Sequence, residues 1–217
     1  MSTPSMYQEM RDTLQGLTGA PVHVAPVSYI DWAVSVSRYG WKNILLKLHR
    51  VVLDQSDSVN DPGLILVGHS AGGVMARLYL SPEPFAGLRF AGLERVRHLI
   101  TLGSPHGNVR GAPMRRWVNR QYPGAFFSPG VGYTTVAGRA LQGDRGGKAK
   151  SRIAHTLYYH LSGEGGEWGD GVVPLSSAHL DGARNLVLDG VSHAPVGGRR
   201  WYGTAEVVRE WWAQTNI

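Results

Sequence analysis

Apolar positions along the chain follow two alternating periods. Met6, Met10, Leu14 and Leu17 recur at three- and four-residue steps, which predicts a helix over residues 4–17, ended by Gly19-Ala20-Pro21. Residues 22–27 form a β-branched run and read as a strand. Trp41, Ile44, Leu45, Leu48, Val51 and Val52 mark one face of a second helix, and Asn60-Asp61-Pro62-Gly63 reads as a turn. Residues 64–67 (Leu-Ile-Leu-Val) are uninterruptedly apolar, as expected of a strand buried on both faces of a parallel sheet. A helix is predicted over residues 71–80, stopped at Ser81-Pro82, and another strand over 96–102. Helices and strands therefore alternate, which argues for an α/β fold around a mostly parallel sheet.

After Leu102 the rhythm loosens. A short helix is expected over 112–122, with Met114, Trp117 and Val118 on one side, and a strand over 133–137. Residues 139–150 are glycine-rich and basic and read as an exposed loop; 151–161 fits helix or strand equally well. A strand over 185–188 and a closing helix over 205–212 complete the pattern. The 217 residues suit one domain, with cap or long-loop segments expected over about 108–132 and 139–166. Trp117 and Ala125-Phe126-Phe127 either line an acyl groove or anchor a long loop to the core.

Composition narrows the function classes. Hydrophobic residues make up 42% and charged residues 18%, enough apolar side chains for a packed core. No apolar run approaches the ~20 residues that cross a bilayer, and no basic n-region with an apolar h-region opens the chain. A cytoplasmic location, in part peripheral to a membrane, is expected. There is no cysteine, which excludes disulfides, thiolate metal sites and a cysteine nucleophile. The net charge of +6 is uneven: residues 89–152 hold 12 basic and 2 acidic side chains, against 10 and 14 elsewhere. That segment is either a solvated arginine-rich region or a surface for anionic membranes. Interleaved stacking aromatics are lacking, so no nucleic-acid partner is expected.

The chemistry centres on Gly68-His69-Ser70-Ala71-Gly72, a G-x-S-x-G motif between a predicted strand and a predicted helix. A sharp turn there lifts the Ser70 hydroxyl clear of the sheet, and the glycines two positions away are expected to avoid collisions. It also aims the Ala71 amide at a forming oxyanion. The alternative is an accidental glycine-rich turn. A serine needs a base held by a carboxylate, in the chain order Ser, acid, His. Of nine histidines, His193 is favoured, because it follows the strand at 185–188 and precedes the last helix; His179 is the rival. Asp170, in Gly169-Asp170-Gly171-Val172-Val173-Pro174, is the favoured acid over Asp181, Asp189, Glu164 and Glu167.

Together, Gly-His-Ser-Ala-Gly-Gly, Leu102-Gly103-Ser104-Pro105-His106-Gly107, the Asp170 stretch, Leu180 to Asn185 and Gly190-Val191-Ser192-His193 resemble α/β-hydrolases of the lipase type. The nearest likenesses are small bacterial triacylglycerol lipases and the PGAP1-like lipases of cyanobacteria and chloroplasts. The resemblance implies an α/β-hydrolase fold, Ser70 as nucleophile, Asp170 as acid and His193 as base, and a structural part for His106. Family members begin with an apolar strand and a Pro-Gly or His-Gly turn that supplies a second oxyanion donor. This sequence opens at what resembles the following helix, so that strand is expected to be missing.

The function expected is hydrolysis of carboxylic esters, with lipid-like acyl groups, through an acyl-enzyme on Ser70. No metal and no organic cofactor is expected. Two alternatives stay open: acyl transfer on the same residues, and a non-catalytic binding protein on a hydrolase scaffold.

Overall fold

A computed structural model describes residues 3–55, 63–107, 109–195 and 200–217. The turn expected at 60–63 therefore lies largely outside the described residues. The strands are β1 (Leu64–His69), β2 (Val96–Leu102), β3 (Gly132–Arg139), β4 (Leu141–Gln142), β5 (Trp168–Gly169) and β6 (Arg184–Asp189). The main sheet runs β1-β2-β3-β6 with every pair parallel, while β4 and β5 pair antiparallel beside it. The helices are α1 (Gln8–Thr18), α2 (Tyr29–Ala33), α3 (Arg38–Gln55), α4 (Ala71–Leu80), α5 (Pro113–Gln121), α6 (Ala149–Ser162), α7 (Leu175–Ala178) and α8 (Ala205–Ala213).

Helices cover both faces of the sheet. On one face α3, α4 and α5 bring Trp41, Leu45, Leu78, Tyr79 and Val118 against Leu99 and Tyr133. On the other, Met10 and Leu14 of α1 and Val207, Val208 and Trp211 of α8 close over Ile100, Leu102, Val136 and Leu188. Each fully buried aliphatic or aromatic side chain contributes ~1.5–3 kcal/mol of transfer free energy. Two such layers suffice to hold the strand ends in place. The closing helix is tied to the opening one: Glu9 of α1 accepts from the Ala205 amide at the start of α8, at 2.8 Å.

Two expectations need correction. Residues 64–67 do form a strand, but it stands at the sheet edge and is not buried on both faces. Val67 is 36% exposed, and β1 pairs only with β2 among the described residues. Residues 22–27 join no strand pair; they line an apolar groove of about 740 Å³ that runs along the outer edge of β1, opposite Leu64 and Leu66. Residues 151–161, open between helix and strand, belong to α6, which buries Ala154, Tyr158 and Leu161 on one side and ends on Gly163 at φ 92°.

Smaller departures are local. The opening helix begins as a 3-10 turn, Pro4–Tyr7, before α1. The glycine-rich stretch after Arg139 is not wholly loop, because β4 lies within it and α6 begins inside it. Of the aromatic residues left open, Trp117 and Phe127 pack against the core, whereas Phe126 is exposed. No helix among the described residues is long and apolar enough to cross a membrane.

Candidate active site

Ser70 sits between β1 and α4 with φ 55° and ψ −131°, a conformation a non-glycine residue adopts only when its surroundings impose it. The surroundings are visible. The Ser70 amide donates to the Leu102 carbonyl at 2.9 Å, tying the turn to β2. A Cβ on Gly68 would stand 2.6 Å from the Gly73 Cα, and one on Gly73 would stand 2.1 Å from Ser104 Oγ. Strand and helix therefore touch through Gly68 and Gly73. A Cβ on Gly72 would meet nothing within 4 Å, so the steric role expected of Gly72 falls to its neighbour Gly73.

The structure brings Ser70, His193 and Asp170 into one hydrogen-bonded row. His193 Nε2 lies 3.1 Å from Ser70 Oγ, and His193 Nδ1 lies 2.7 Å from Asp170 Oδ2. A carboxylate only accepts, so Nδ1 carries the proton and the Nε2 lone pair faces the serine hydroxyl. The His193 amide donates in turn to the Asp170 carbonyl at 3.0 Å. Ser70 follows β1, His193 follows β6, and Asp170 packs against Gly138 near the end of β3. All three thus gather beyond the carboxyl ends of parallel strands, where such sheets open their clefts. Ala71 is the first residue of α4, so its amide points out of the helix N-terminus beside Ser70.

Asp170 is buried and accepts four hydrogen bonds. Val172 and Val173 amides reach Oδ1 at 2.9 and 2.7 Å; His193 and the Tyr202 hydroxyl reach Oδ2 at 2.7 and 2.9 Å. Burial pushes its carboxyl up, but His193 and the two amides outweigh that and hold it below the usual carboxylate range. Tyr202 is held in turn, since its oxygen accepts from the Gly138 amide at 2.8 Å. The acid therefore stays ionised and fixed.

The rival residues lie elsewhere. His179 makes no bond to Ser70 or Asp170 and lies close enough to His106 for its charge to act there. Asp189 pairs with Arg139 at 2.5 and 2.9 Å on the surface, and the Asp181 side chain is exposed. Glu164 is exposed and Glu167 sits on the same loop. His106 is buried beneath the site. Its Nε2 donates to Thr101 Oγ1 at 2.9 Å, and its Nδ1 accepts from Arg77 at 3.2 Å. Arg77 also donates to Asn119 Oδ1 at 2.7 Å and to the Tyr122 and Gly124 carbonyls. Burial lowers its pKa to about 10, still charged at neutral pH.

Sequence reasoning missed Tyr202 and the amides of Val172 and Val173. The amides had a signal, since an aspartate followed by glycine commonly caps the backbone two or three residues on. Tyr202 had none, because its contact spans 32 residues of chain.

Two solved structures are similar in fold. The chain resembles Bacillus licheniformis lipase BlEst2 in its mature form, with a TM-score of 0.51 and 17% identity over 82% of this chain and 75% of that one. It also resembles phospholipase PlaB from Legionella pneumophila, solved in complex with thio-NAD, with a TM-score of 0.59 and 15% identity; the alignment covers 99% of this chain and 60% of that one. No family model and no curated protein matches the sequence. The fold is the α/β-hydrolase fold.

Proposed function

We propose that this protein hydrolyses carboxylic esters through an acyl-enzyme. The observation that carries the reading is the row from Ser70 Oγ through the His193 imidazole to the buried Asp170 carboxylate, at 3.1 and 2.7 Å. Ser70 Oγ attacks the ester carbonyl as its proton passes to His193 Nε2. Asp170 keeps the proton on Nδ1 and stabilises the imidazolium that forms. The Ala71 amide and the positive end of α4 stabilise the oxyanion. The imidazolium then gives its proton to the leaving alcohol, and the ester bond breaks. Water, deprotonated by His193, attacks the acyl-serine and releases the acid.

Lipid-like acyl esters are the proposed substrates, on two supports: the resemblance of the motifs to small lipases and PGAP1-like lipases, and the lipase and phospholipase among the structural neighbours. The excess of basic residues over 89–152 supports contact with an anionic lipid surface. Exposed Val109 and Phe126 in that stretch, and Ile153 just after it, are available to enter such an interface.

A fluorophosphonate probe tests the core of the proposal. It should label the wild-type protein on Ser70, and Ser70→Ala should neither label nor hydrolyse a p-nitrophenyl ester. Labelling that persists in Ser70→Ala overturns the assignment, and absence of labelling in the wild type leaves a binding protein on this scaffold. Hydrolysis in the presence of a competing alcohol separates water from alcohol as acceptor. Co-sedimentation with anionic vesicles should exceed that with neutral ones and fade with salt; indifference to both removes the membrane contact.

A further inference from the structure

His69 stands immediately before Ser70, but its hydrogen bonds run to the other half of the site. Its Nε2 lies 3.0 Å from the His193 carbonyl oxygen, and its Nδ1 lies 2.9 Å from the Tyr7 hydroxyl. A carbonyl oxygen only accepts, so Nε2 carries the proton. Nδ1 is then the acceptor, and the Tyr7 hydroxyl donates to it. One arrangement of protons satisfies the whole chain from Tyr7 to the His193 backbone.

The ring is enclosed as well as bonded. Its centroid lies 4.7 Å from that of His193 with the planes tilted by 40°, and 5.7 to 5.9 Å from those of Tyr202, Trp201 and Tyr7. We infer that His69 is a positioning residue for His193, with Tyr7 fixing its tautomer, and that this pair sets the distance between His193 Nε2 and Ser70 Oγ. The inference rests on the proposed roles of Ser70 and His193.

The physical need is visible in how His193 is attached. At one end Asp170 grips it twice, by its carboxylate at Nδ1 and by its carbonyl at the amide. Those bonds share one partner and leave the residue able to pivot about it. The His69 bond to the His193 carbonyl is a second anchor from a different strand, and the packed His69 ring limits rotation of the His193 imidazole. Because His69 and Ser70 are consecutive, this anchor refers His193 directly to the strand that carries the nucleophile. Displacements of about 1 Å at such a contact cost ~10²-fold in rate.

Burial pushes the His69 pKa down to about 3, helped by the charge of His193, so the ring stays neutral over the working range. It therefore acts by geometry and by its donor, not as a second base. A purely space-filling ring is the rival account, and the two separate by substitution. His69→Phe keeps the ring and loses the donor. His69→Gln keeps a donor near Nε2 and loses the ring. Tyr7→Phe loses only the hydroxyl.

With a p-nitrophenyl ester, His69→Phe should lower kcat about 10–100-fold while KM stays within about threefold. His69→Gln should recover at least a third of that loss on a logarithmic scale. Tyr7→Phe should fall in between, near wild-type melting temperature. If His69→Phe and Tyr7→Phe both keep kcat within twofold, or if His69→Gln is as poor as His69→Phe, the positioning role is overturned. Long-range proton–nitrogen NMR of the imidazoles gives a readout without catalysis. In the wild type, His69 should show an Nε2-protonated neutral ring, and Tyr7→Phe should shift or broaden the His193 signals while sparing His106. Unchanged His193 signals overturn the inference even if the fold is intact. A wild type that neither hydrolyses nor labels would instead defeat the proposed function, and the NMR result would still decide the role of His69.

Discussion

Asp170→Asn isolates the contribution of the acid with almost no change in volume. The carboxylate accepts four bonds, and the amide has two ways to sit among them. With its NH2 toward Val172 and Val173, two amide donors at 2.9 and 2.7 Å would face another donor. With its oxygen there instead, both those bonds survive, so this orientation wins. The NH2 then faces His193 Nδ1 and the Tyr202 hydroxyl. His193 must accept at Nδ1, which moves its proton to Nε2 and points N–H at Ser70 Oγ. In that tautomer the imidazole cannot take the serine proton.

The expected loss in kcat is ~10⁴-fold, or about 5.5 kcal/mol at 1.36 kcal/mol per tenfold. Stability should change far less. Weakened hydrogen bonds to a former charge cost ~1.5–3 kcal/mol each, but removing a buried charge offsets part of that. The assay is initial rate on a p-nitrophenyl ester, with thermal melting by circular dichroism to show that the fold persists. Asp189→Asn and Asp181→Asn serve as controls, since one side chain pairs with Arg139 at the surface and the other is exposed. If Asp170→Asn keeps a tenth or more of the wild-type rate, or if either control is the more damaging, the tautomer argument fails.

Three more outcomes are expected. Gly68→Ala and Gly73→Ala should each destabilise by several kcal/mol, since their Cβ atoms would lie 2.6 and 2.1 Å from neighbouring atoms, whereas Gly72→Ala should be neutral or stabilising by up to ~1 kcal/mol; equal melting temperatures for all three would contradict the packing described. Stability should fall on acidification below about pH 6.5, because the unfolded chain binds protons that buried, neutral His69 and His106 refuse, with smaller shares from His49, His98 and His179; each group that refuses its proton fully adds about 1.4 kcal/mol per pH unit, and His69→Gln should remove its share of the slope in denaturant titrations. Further loss should follow as pH falls below ~3.9, where the unfolded chain protonates an aspartate that Asp170 resists becoming. Arg77→Met should cost ~2–4 kcal/mol by leaving buried acceptors at Asn119, Tyr122 and His106 without their donor, and a variant as stable as wild type would show that desolvation of the cation had cancelled its bonds.

Legibility in the sequence followed the range of the interaction. Period alone marked α3, α4 and α8, because one face of each meets the sheet and that contact repeats every turn. It marked β1 as an apolar run, and β2, β3 and β6 as strands alternating with the helices. It did not reveal that β1 is an edge, since an apolar run records what covers a strand's faces and not what pairs with its sides. The same gap explains residues 22–27: a β-branched run favours extended backbone, but a strand exists only where a neighbour accepts its hydrogen bonds. Residues 151–161 were ambiguous because α6 buries only three side chains. At the site, chain order and local motifs singled out Ser70, Asp170 and His193, and the structure adds their distances. The side chains bonded to these three were not legible, because Tyr202 reaches Asp170 across 32 residues of chain and His69 reaches the His193 carbonyl across 124, while Tyr7 reaches His69 across 62.

That division has a consequence for how the site is held together. His193 and Asp170 belong to the side of the molecule built on β3 and β6, which pair along six residues in unbroken register, β6 being the sheet's other edge. Ser70 belongs to β1, the edge strand, whose pairing with β2 already shifts register between Leu64 and Ile65. The two sides meet at the 3.1 Å contact from Ser70 to His193, and a slide of β1 by a fraction of a residue, ~3.3 Å per step, would break it. Beyond the β1–β2 ladder itself, three bonds oppose that slide: the Ser70 amide to Leu102, the Ser104 hydroxyl to Gly68, and His69 to the His193 carbonyl. The first two fix β1 to β2, and the third fixes it to the base. An edge strand carrying a nucleophile has one ladder partner where a central strand has two, so the bonds from Ser104 to Gly68 and from His69 to the His193 carbonyl weigh more in its placement.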